Sequence, residues 1–87
     1  MARYSLRIKQ SAAEELEAVS RKADRQRLVR RIAALAINPR PTGCEKLGGY
    51  NDRYRIREGT YRVVYSVDDT ARIVEVVRVG HRREVYR

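Results

Sequence analysis

Arginine recurs at every second position in one short stretch of the chain, a pattern that suits the binding of an anion. Arg53, Arg55 and Arg57 lie in the run RYRIR, whose alternation is typical of a β-strand. Alternate side chains of a strand lie on one face, and guanidinium groups bind phosphate through paired N–H bonds. The stretch therefore predicts either a phosphate-binding face or a solvated sheet surface that binds nothing.

A fourth arginine follows across a predicted hairpin. Glu58 and Gly59 form a turn signal, and a two-residue loop centred on them places Arg55 directly opposite Arg62. Like charges at opposed positions destabilise a sheet, so this arrangement favours an anion site over a solvated surface. The arginines are expected on one face, and the other face is expected to meet the core through Tyr54, Ile56, Tyr61, Val63, Tyr65 and Val67.

Two residues of the C-terminal segment could take part in acid–base chemistry. His81 is the only histidine, and histidine titrates close to neutral pH without help from its surroundings. Tyr86 could stack on an unpaired base or donate a proton. Each also has a simpler interpretation, since a lone histidine is often a surface residue and a tyrosine can pack against the sheet.

The elements that must position these residues change in type along the chain. Residues 3–9 alternate as a half-buried strand, and the capping-box spacing of Ser11 and Glu14 predicts a helix that begins at Ser11. A second amphipathic helix is predicted from about Asp24 until Asn38 and Pro39 stop it. A turn-rich loop follows, with a short extended stretch around residues 46–47.

The second half of the chain is predicted to be β-structure. Strands are expected at 53–57, 60–67 and 72–79, with a second turn at Asp68 and Asp69 and an interruption at Gly80. Two helices followed by strands predict a single α+β domain over residues 1–87. In it, both helices pack on one face of a small twisted antiparallel sheet.

Composition limits the classes of function that the chain can have. Twenty Lys and Arg residues against eleven Asp and Glu give a net charge of +9, which favours a polyanionic partner. Cys44 is the only cysteine, and we find no metal-ligand spacing or phosphate loop, so no metal and no cofactor are predicted. The sequence has no long apolar run and no signal-peptide pattern, so a cytoplasmic protein without a membrane partner is expected.

Five segments in a fixed order carry a resemblance to a known family. They are NPRP at 38–41, KLGG at 46–49, YRIR at 54–57, GTYRVVY at 59–65 and VGHRREVY at 79–86. Together they resemble the RelE branch of the RelE/ParE toxin superfamily, over nearly the whole chain. The resemblance implies a RelE-like, microbial-ribonuclease-like fold and a toxin of a type II toxin–antitoxin system. It also implies a ribosome-dependent endoribonuclease that cuts mRNA in the A site, by attack of a 2′-OH on the adjacent phosphate.

The resemblance also implies roles for residues. Those that match the family's basic catalytic positions are Arg55, Arg57, Arg62 and Arg82. Tyr86 matches its terminal tyrosine, which stacks on or assists the substrate, while Arg53, Arg78 and Arg83 are expected to bind the RNA.

The match departs from the family pattern at the position of the base. Some RelE toxins have lysine where this chain has Arg55 and Arg57, and arginine almost never serves as a base. The base is therefore left to His81 or Glu84, unless positioning and charge suffice without one.

The implied partners are a cognate acidic antitoxin, which wraps the toxin, and the ribosome with its mRNA. DNA would be contacted only indirectly, through the antitoxin.

Three alternative functions remain on the sequence alone. The chain could be a ParE-like toxin that inhibits gyrase, a non-enzymatic RNA-binding domain, or a degenerate toxin that binds antitoxin without cutting RNA.

Overall fold

Two helices and a five-stranded sheet make up the fold in a computed structural model, which describes residues 3–81. In chain order the elements are β1 (Ser5–Ile8), α1 (Gln10–Glu17), α2 (Lys22–Ala34), β2 (Glu45–Lys46), β3 (Arg53–Glu58), β4 (Tyr61–Asp68) and β5 (Ile73–His81). The strand order across the sheet is β1-β5-β4-β3-β2. The predicted α+β class is confirmed, but the sheet is mixed, because β1 runs parallel to β5 while the other neighbours are antiparallel.

The core lies between the helices and one face of the sheet, as the alternation predicts. Ile56, Val63 and Tyr65 are fully buried there and meet Leu28 and Ile32 of α2. Tyr54 and Tyr61 pack against the same cluster at its margin. Burial of these side chains supplies most of the favourable free energy of folding. The arginines at positions 55, 57 and 62 lie on the opposite face of β3 and β4.

The first helix begins without the predicted capping box. Lys9 ends β1 by donating its N–H to the Val76 carbonyl at 2.9 Å, and its own carbonyl accepts the Ala13 N–H at 2.9 Å. The chain therefore turns from strand to helix at Lys9, which makes no side-chain capping bond, and Ser11 lies inside the first turn. The prediction of a start at Ser11 was wrong because the chain enters the helix directly after β1. The N-cap position therefore falls on Lys9, whose side chain has no acceptor oxygen for a capping bond.

The β3–β4 hairpin has a different register from the predicted one. Glu58 pairs with Tyr61, so the two-residue loop is Gly59-Thr60, with Gly59 in the left-handed region at a φ of 60°. Arg57, not Arg55, therefore lies opposite Arg62. The partner of Arg55 moves by two positions, and because side chains alternate with a period of two, every residue keeps its predicted face.

The last strand runs through the predicted interruption. Gly80 pairs with Arg62, and β5 continues to His81, which pairs with Tyr61. The glycine has no side chain to compete with Arg62 in that row. Earlier in β5 the pairing with β4 skips Val77, because Val64 faces Arg78 whereas Tyr65 faces Val76, so this strand is continuous but irregular.

Candidate active site

Arg57 and Arg62 form the centre of the candidate site, on the face of the sheet that points away from the helices. They are directly opposed on β3 and β4, and their environments differ sharply. The Arg57 side chain is 56% exposed, whereas Arg62 is only 1% exposed. Burial of a guanidinium group is costly unless partners compensate it, so a buried arginine at position 62 is not explained by the filling of space alone.

A carboxylate holds two of the arginines. Glu45 on β2 pairs with Arg55 on β3, and its two oxygens lie 3.0 Å from Arg55 Nη2 and 3.4 Å from Arg57 Nη2. Glu45 is half exposed, so its carboxylate remains accessible from solvent. The geometry thus brings a possible proton acceptor to the arginines, which the sequence alone did not predict.

A signal for Glu45 was present in the sequence. It is the only acidic residue between Asp24 and Asp52, within an otherwise basic and neutral stretch, and it begins the short extended segment that was expected near residue 46. Its pairing with Arg55 depends on the register of a two-residue strand, which no local pattern specifies.

Two of the predicted RNA-binding residues, Arg53 and Arg78, lie on strands of the same sheet. We use the name arginine face for Arg53, Arg55, Arg57 and Arg62. Arg53 stacks its guanidinium over the Tyr50 ring, 4.6 Å from the ring centroid. A separate row of the sheet aligns Arg55, Val64 and Arg78, and the Arg78 Nε lies 3.5 Å from a carboxylate oxygen of Glu15.

His81 is not brought to the arginines. Its ring contacts Tyr61, with centroids 5.0 Å apart, and Tyr61 packs against the core on the helix side of the sheet. The two rings line a cavity of about 360 Å³ together with Glu15 and Val19 of the helical layer. His81 therefore lies on the opposite side of the sheet from Arg57 and Arg62.

Four residues of interest lie outside the described part of the chain. They are Arg82, Arg83, Glu84 and Tyr86. Their predicted roles as catalytic, RNA-binding or proton-transferring groups stay predictions.

A second polar cluster fixes the loop that leads into β2. Arg40 donates two hydrogen bonds to the Asp69 carboxylate, at 3.1 and 2.8 Å, and a third to the Tyr54 hydroxyl at 3.0 Å. The Tyr4 hydroxyl donates to the same carboxylate at 2.5 Å. We call Tyr4, Arg40, Tyr54 and Asp69 the Arg40 clamp. It joins β1, the 39–44 loop, β3 and the β4–β5 turn at one end of the sheet.

The clamp changes the acid–base properties of its members. The hydrogen bonds from Arg40, and then that from Tyr4, lower the pKa of Asp69 to about 2. Donation to Asp69 raises the pKa of the Tyr4 hydroxyl, and the same carboxylate raises the pKa of Arg40. Burial raises the pKa of Tyr65, whose hydroxyl donates to the Pro39 carbonyl at 2.7 Å and so anchors the same loop.

Residues 3–81 contain no group of three or more His, Cys, Asp or Glu side chains that could hold a metal ion. No helix in the same range is long and apolar enough to cross a membrane.

Comparisons with known proteins show the family to which the chain belongs. The family described as ParE toxin of type II toxin-antitoxin system, parDE, matches residues 6–86. Toxin RelE of Mycobacterium tuberculosis is 33% identical over 73 residues, which span 74% of this chain and 75% of that protein. Toxin RelG of the same organism is 44% identical over 34 residues, a match that spans 39% of each chain.

Among solved structures, the archaeal RelE-RelB complex from Pyrococcus horikoshii contains a chain with the same fold. Its TM-score is 0.81 at 29% identity, over 94% of this chain and 97% of that one. The family match covers most of the sequence, and the relative from M. tuberculosis covers three quarters of it. The chain therefore belongs to the ParE toxin family of type II toxin–antitoxin systems, and within the RelE/ParE superfamily it is a RelE-type toxin.

Proposed function

We propose that the chain is a ribosome-dependent endoribonuclease that cleaves mRNA in the A site. The observation that carries the proposal is the pairing of Arg57 with a buried Arg62 on one face of the sheet, beside a carboxylate. Two guanidinium groups at opposed positions suit a phosphate that gains charge in a transition state. Fixed positive charge of this kind is worth about 10²- to 10³-fold in rate per group.

Each step of the reaction has a candidate group. The 2′-oxygen attacks the adjacent phosphorus, and the bond from phosphorus to the 5′-oxygen breaks, which leaves a 2′,3′-cyclic phosphate and a 5′-OH. In our proposal Glu45 accepts the proton of the 2′-OH, Arg55 orients that carboxylate, and Arg57 binds the phosphate. The buried Arg62 adds positive charge beneath Arg57. Tyr86 donates a proton to the leaving oxygen or stacks on the substrate, and Arg82 adds charge.

Glu45 is a better candidate for the base than His81 on geometric grounds. A base must come within hydrogen-bonding reach of the proton that it removes. Glu45 contacts the arginines that would bind the phosphate, whereas the His81 ring contacts Tyr61 on the helix side of the sheet. We place Arg53, Arg78 and Arg83 along the path of the RNA backbone.

The proposed partners are an acidic antitoxin and the ribosome. The related archaeal toxin was crystallised as a RelE-RelB complex. In this chain Leu16 and Val29 line a groove of about 530 Å³ between α1 and α2, together with Arg25, Arg30, Gln26 and one acidic residue, Glu17. Apolar side chains accompanied by arginines suit an acidic amphipathic segment that folds on binding. Action on ribosomes places the protein in the cytoplasm, with DNA reached only through the antitoxin.

A reconstituted reaction tests the proposal. Purified toxin is added to ribosomes that carry a defined message with an open A site, and the ends of the RNA products are identified. We expect cleavage within the A-site codon, a 2′,3′-cyclic phosphate on the upstream product, and little cleavage of the same message without ribosomes. Intact message together with inhibition of purified gyrase would instead assign the chain the ParE activity.

A further inference from the structure

Tyr50 is an exposed aromatic side chain beside the arginine face. Its residue is 51% exposed, and it is the only aromatic among the large hydrophobic residues that are exposed within residues 3–81. The other tyrosines in that range have partners: Tyr54, Tyr61 and Tyr65 pack with the core, and the Tyr4 hydroxyl bonds to Asp69. Since Tyr50 contributes no comparable burial, folding alone does not account for an aromatic residue at this position.

The guanidinium group of a neighbouring arginine holds the Tyr50 ring. The Arg53 guanidinium lies 4.6 Å from the ring centroid, a cation–π contact that fixes the orientation of the ring. Within residues 3–81, no carboxylate lies within ion-pair distance of Arg53, so its charge is not offset by an acid there. The pair thus presents a flat apolar surface backed by a positive charge.

The pair of Tyr50 and Arg53 lies a short distance along β3 from the proposed phosphate site. Arg53 lies on the same face of β3 as Arg57, four residues away, and four residues of strand span about 13 Å. An RNA strand with its phosphate at Arg57 reaches this distance within a few nucleotides if it runs along β3. Aromatic rings and arginine planes are the groups on which proteins stack unpaired bases.

We propose that Tyr50 and Arg53 form a stacking subsite for an unpaired nucleobase of the RNA strand whose phosphate binds at Arg57. The subsite contributes to the binding of the strand and not to the cleavage step. The inference rests on the proposed function for the identity of the ligand, but its test measures binding without cleavage.

The test uses the full chain and short fluorescent 2′-O-methyl RNA oligonucleotides, which lack the attacking hydroxyl. A set of these carries a single abasic site at each position in turn. We expect one abasic position to weaken binding by about 10-fold, within the range of a base–aromatic stack. Tyr50→Ala should remove this dependence on the base, and Tyr50→Phe should keep it. Ile37→Ala, at an equally exposed apolar residue, is the matched control and should behave as the parent.

Kinetics separate the two proposals. If the toxin cleaves message on ribosomes, Tyr50→Ala should raise KM by about 10-fold and leave kcat within about 3-fold, because stacking acts on binding. A parent protein that does not cleave but still discriminates against one abasic position would refute the ribonuclease proposal alone. A Tyr50→Ala protein that keeps the discrimination, or a parent that binds every abasic oligonucleotide equally, would overturn the stacking subsite.

Discussion

Arg57 and Arg62 have the same charge and lie opposite each other, but they differ in exposure, so their replacement has different consequences. Arg57 is largely solvated, whereas Arg62 is packed within the sheet. A change at position 57 therefore reports on catalysis with little disturbance of the fold. A change at position 62 combines loss of charge with loss of a buried side chain.

We predict that Arg57→Ala lowers the rate of message cleavage by about 10²-fold with a melting temperature close to that of the parent. Arg62→Ala should lower both quantities, with a stability loss of about 2–5 kcal/mol as for other large side chains truncated in a core. Single-turnover cleavage and thermal melts of the same preparations measure the two effects. Equal rates for Arg57→Ala and the parent would show that the arginine face is misplaced.

Glu45 is expected to act in the chemical step. Glu45→Gln keeps the shape and one acceptor oxygen of the side chain but cannot accept the proton. If the carboxylate is the base, kcat should fall by about 10²- to 10⁴-fold. Asp52→Asn, on the nearby loop, serves as the control. A Glu45→Gln enzyme with an unchanged or higher rate would mean that Glu45 only occupies the arginines until phosphate displaces it.

His81 provides the complementary test. Because its ring lies against Tyr61 on the helix side of the sheet, we predict that His81→Gln leaves the pH profile of cleavage unchanged and kcat within about 3-fold. The profile is measured under single-turnover conditions. A large fall in the rate of His81→Gln, together with a changed pH profile, would return the role of base to the histidine.

At the scale of elements, β3 and β4 show which features the sequence determines locally. The assignment of side chains to faces follows from alternation alone, and it is correct for both Ile56 and Arg62. The register depends on which two residues occupy the turn. Gly59 adopts a positive φ, and this places it first in the loop where the sequence suggested Glu58.

The last strand shows how one wrong boundary affects a candidate site. Gly80 was expected to end the strand, which left the direction of the His81 side chain open. The strand instead continues, and alternation then sends Val79 and His81 towards the helices, on either side of Gly80. The pairing that brings Glu45 to Arg55 could not be predicted, since it depends on the register of a two-residue strand.

The Arg40 clamp should make the stability of this end of the sheet depend on pH. The folded-state pKa of Asp69 is about 2, below its ordinary value of 3.8, so the carboxylate stabilises the fold above about pH 4. This contribution is lost as the pH falls through about 2, where the folded-state carboxylate takes up a proton. Asp69→Asn should therefore lower the melting temperature at pH 7 and reduce its decline between pH 4 and pH 2. Thermal melts across that range measure both.

The control for the clamp is Asp52→Asn, which changes a carboxyl group that is not bonded to Arg40. It should show the same acid-dependent decline as the parent. A parent and an Asp69→Asn protein with parallel melting curves from pH 7 to pH 2 would contradict the assignment of this stabilisation to Asp69.

At the scale of the whole molecule, the net charge of +9 and the buried arginine point to the same kind of ligand. The field of the protein attracts a polyanion. We propose that the arginine face binds its phosphate and that an acidic partner binds the groove between α1 and α2. Family membership shows that the chain is a RelE-type toxin. Its target is RNA if the arginine face cleaves RNA, and gyrase if the chain inhibits that enzyme instead.

The measurement that tests this account most directly is primer extension on cellular messages after brief expression of the toxin without an antitoxin. Cells that express the parent should stop growing and show new 5′ ends inside translated regions, in register with codons. Cells that express Arg57→Ala at the same level should grow and show intact messages. Intact messages with gyrase-linked DNA breaks in the parent, or equal cutting by the parent and Arg57→Ala, would contradict the proposal that this face of the sheet cleaves RNA.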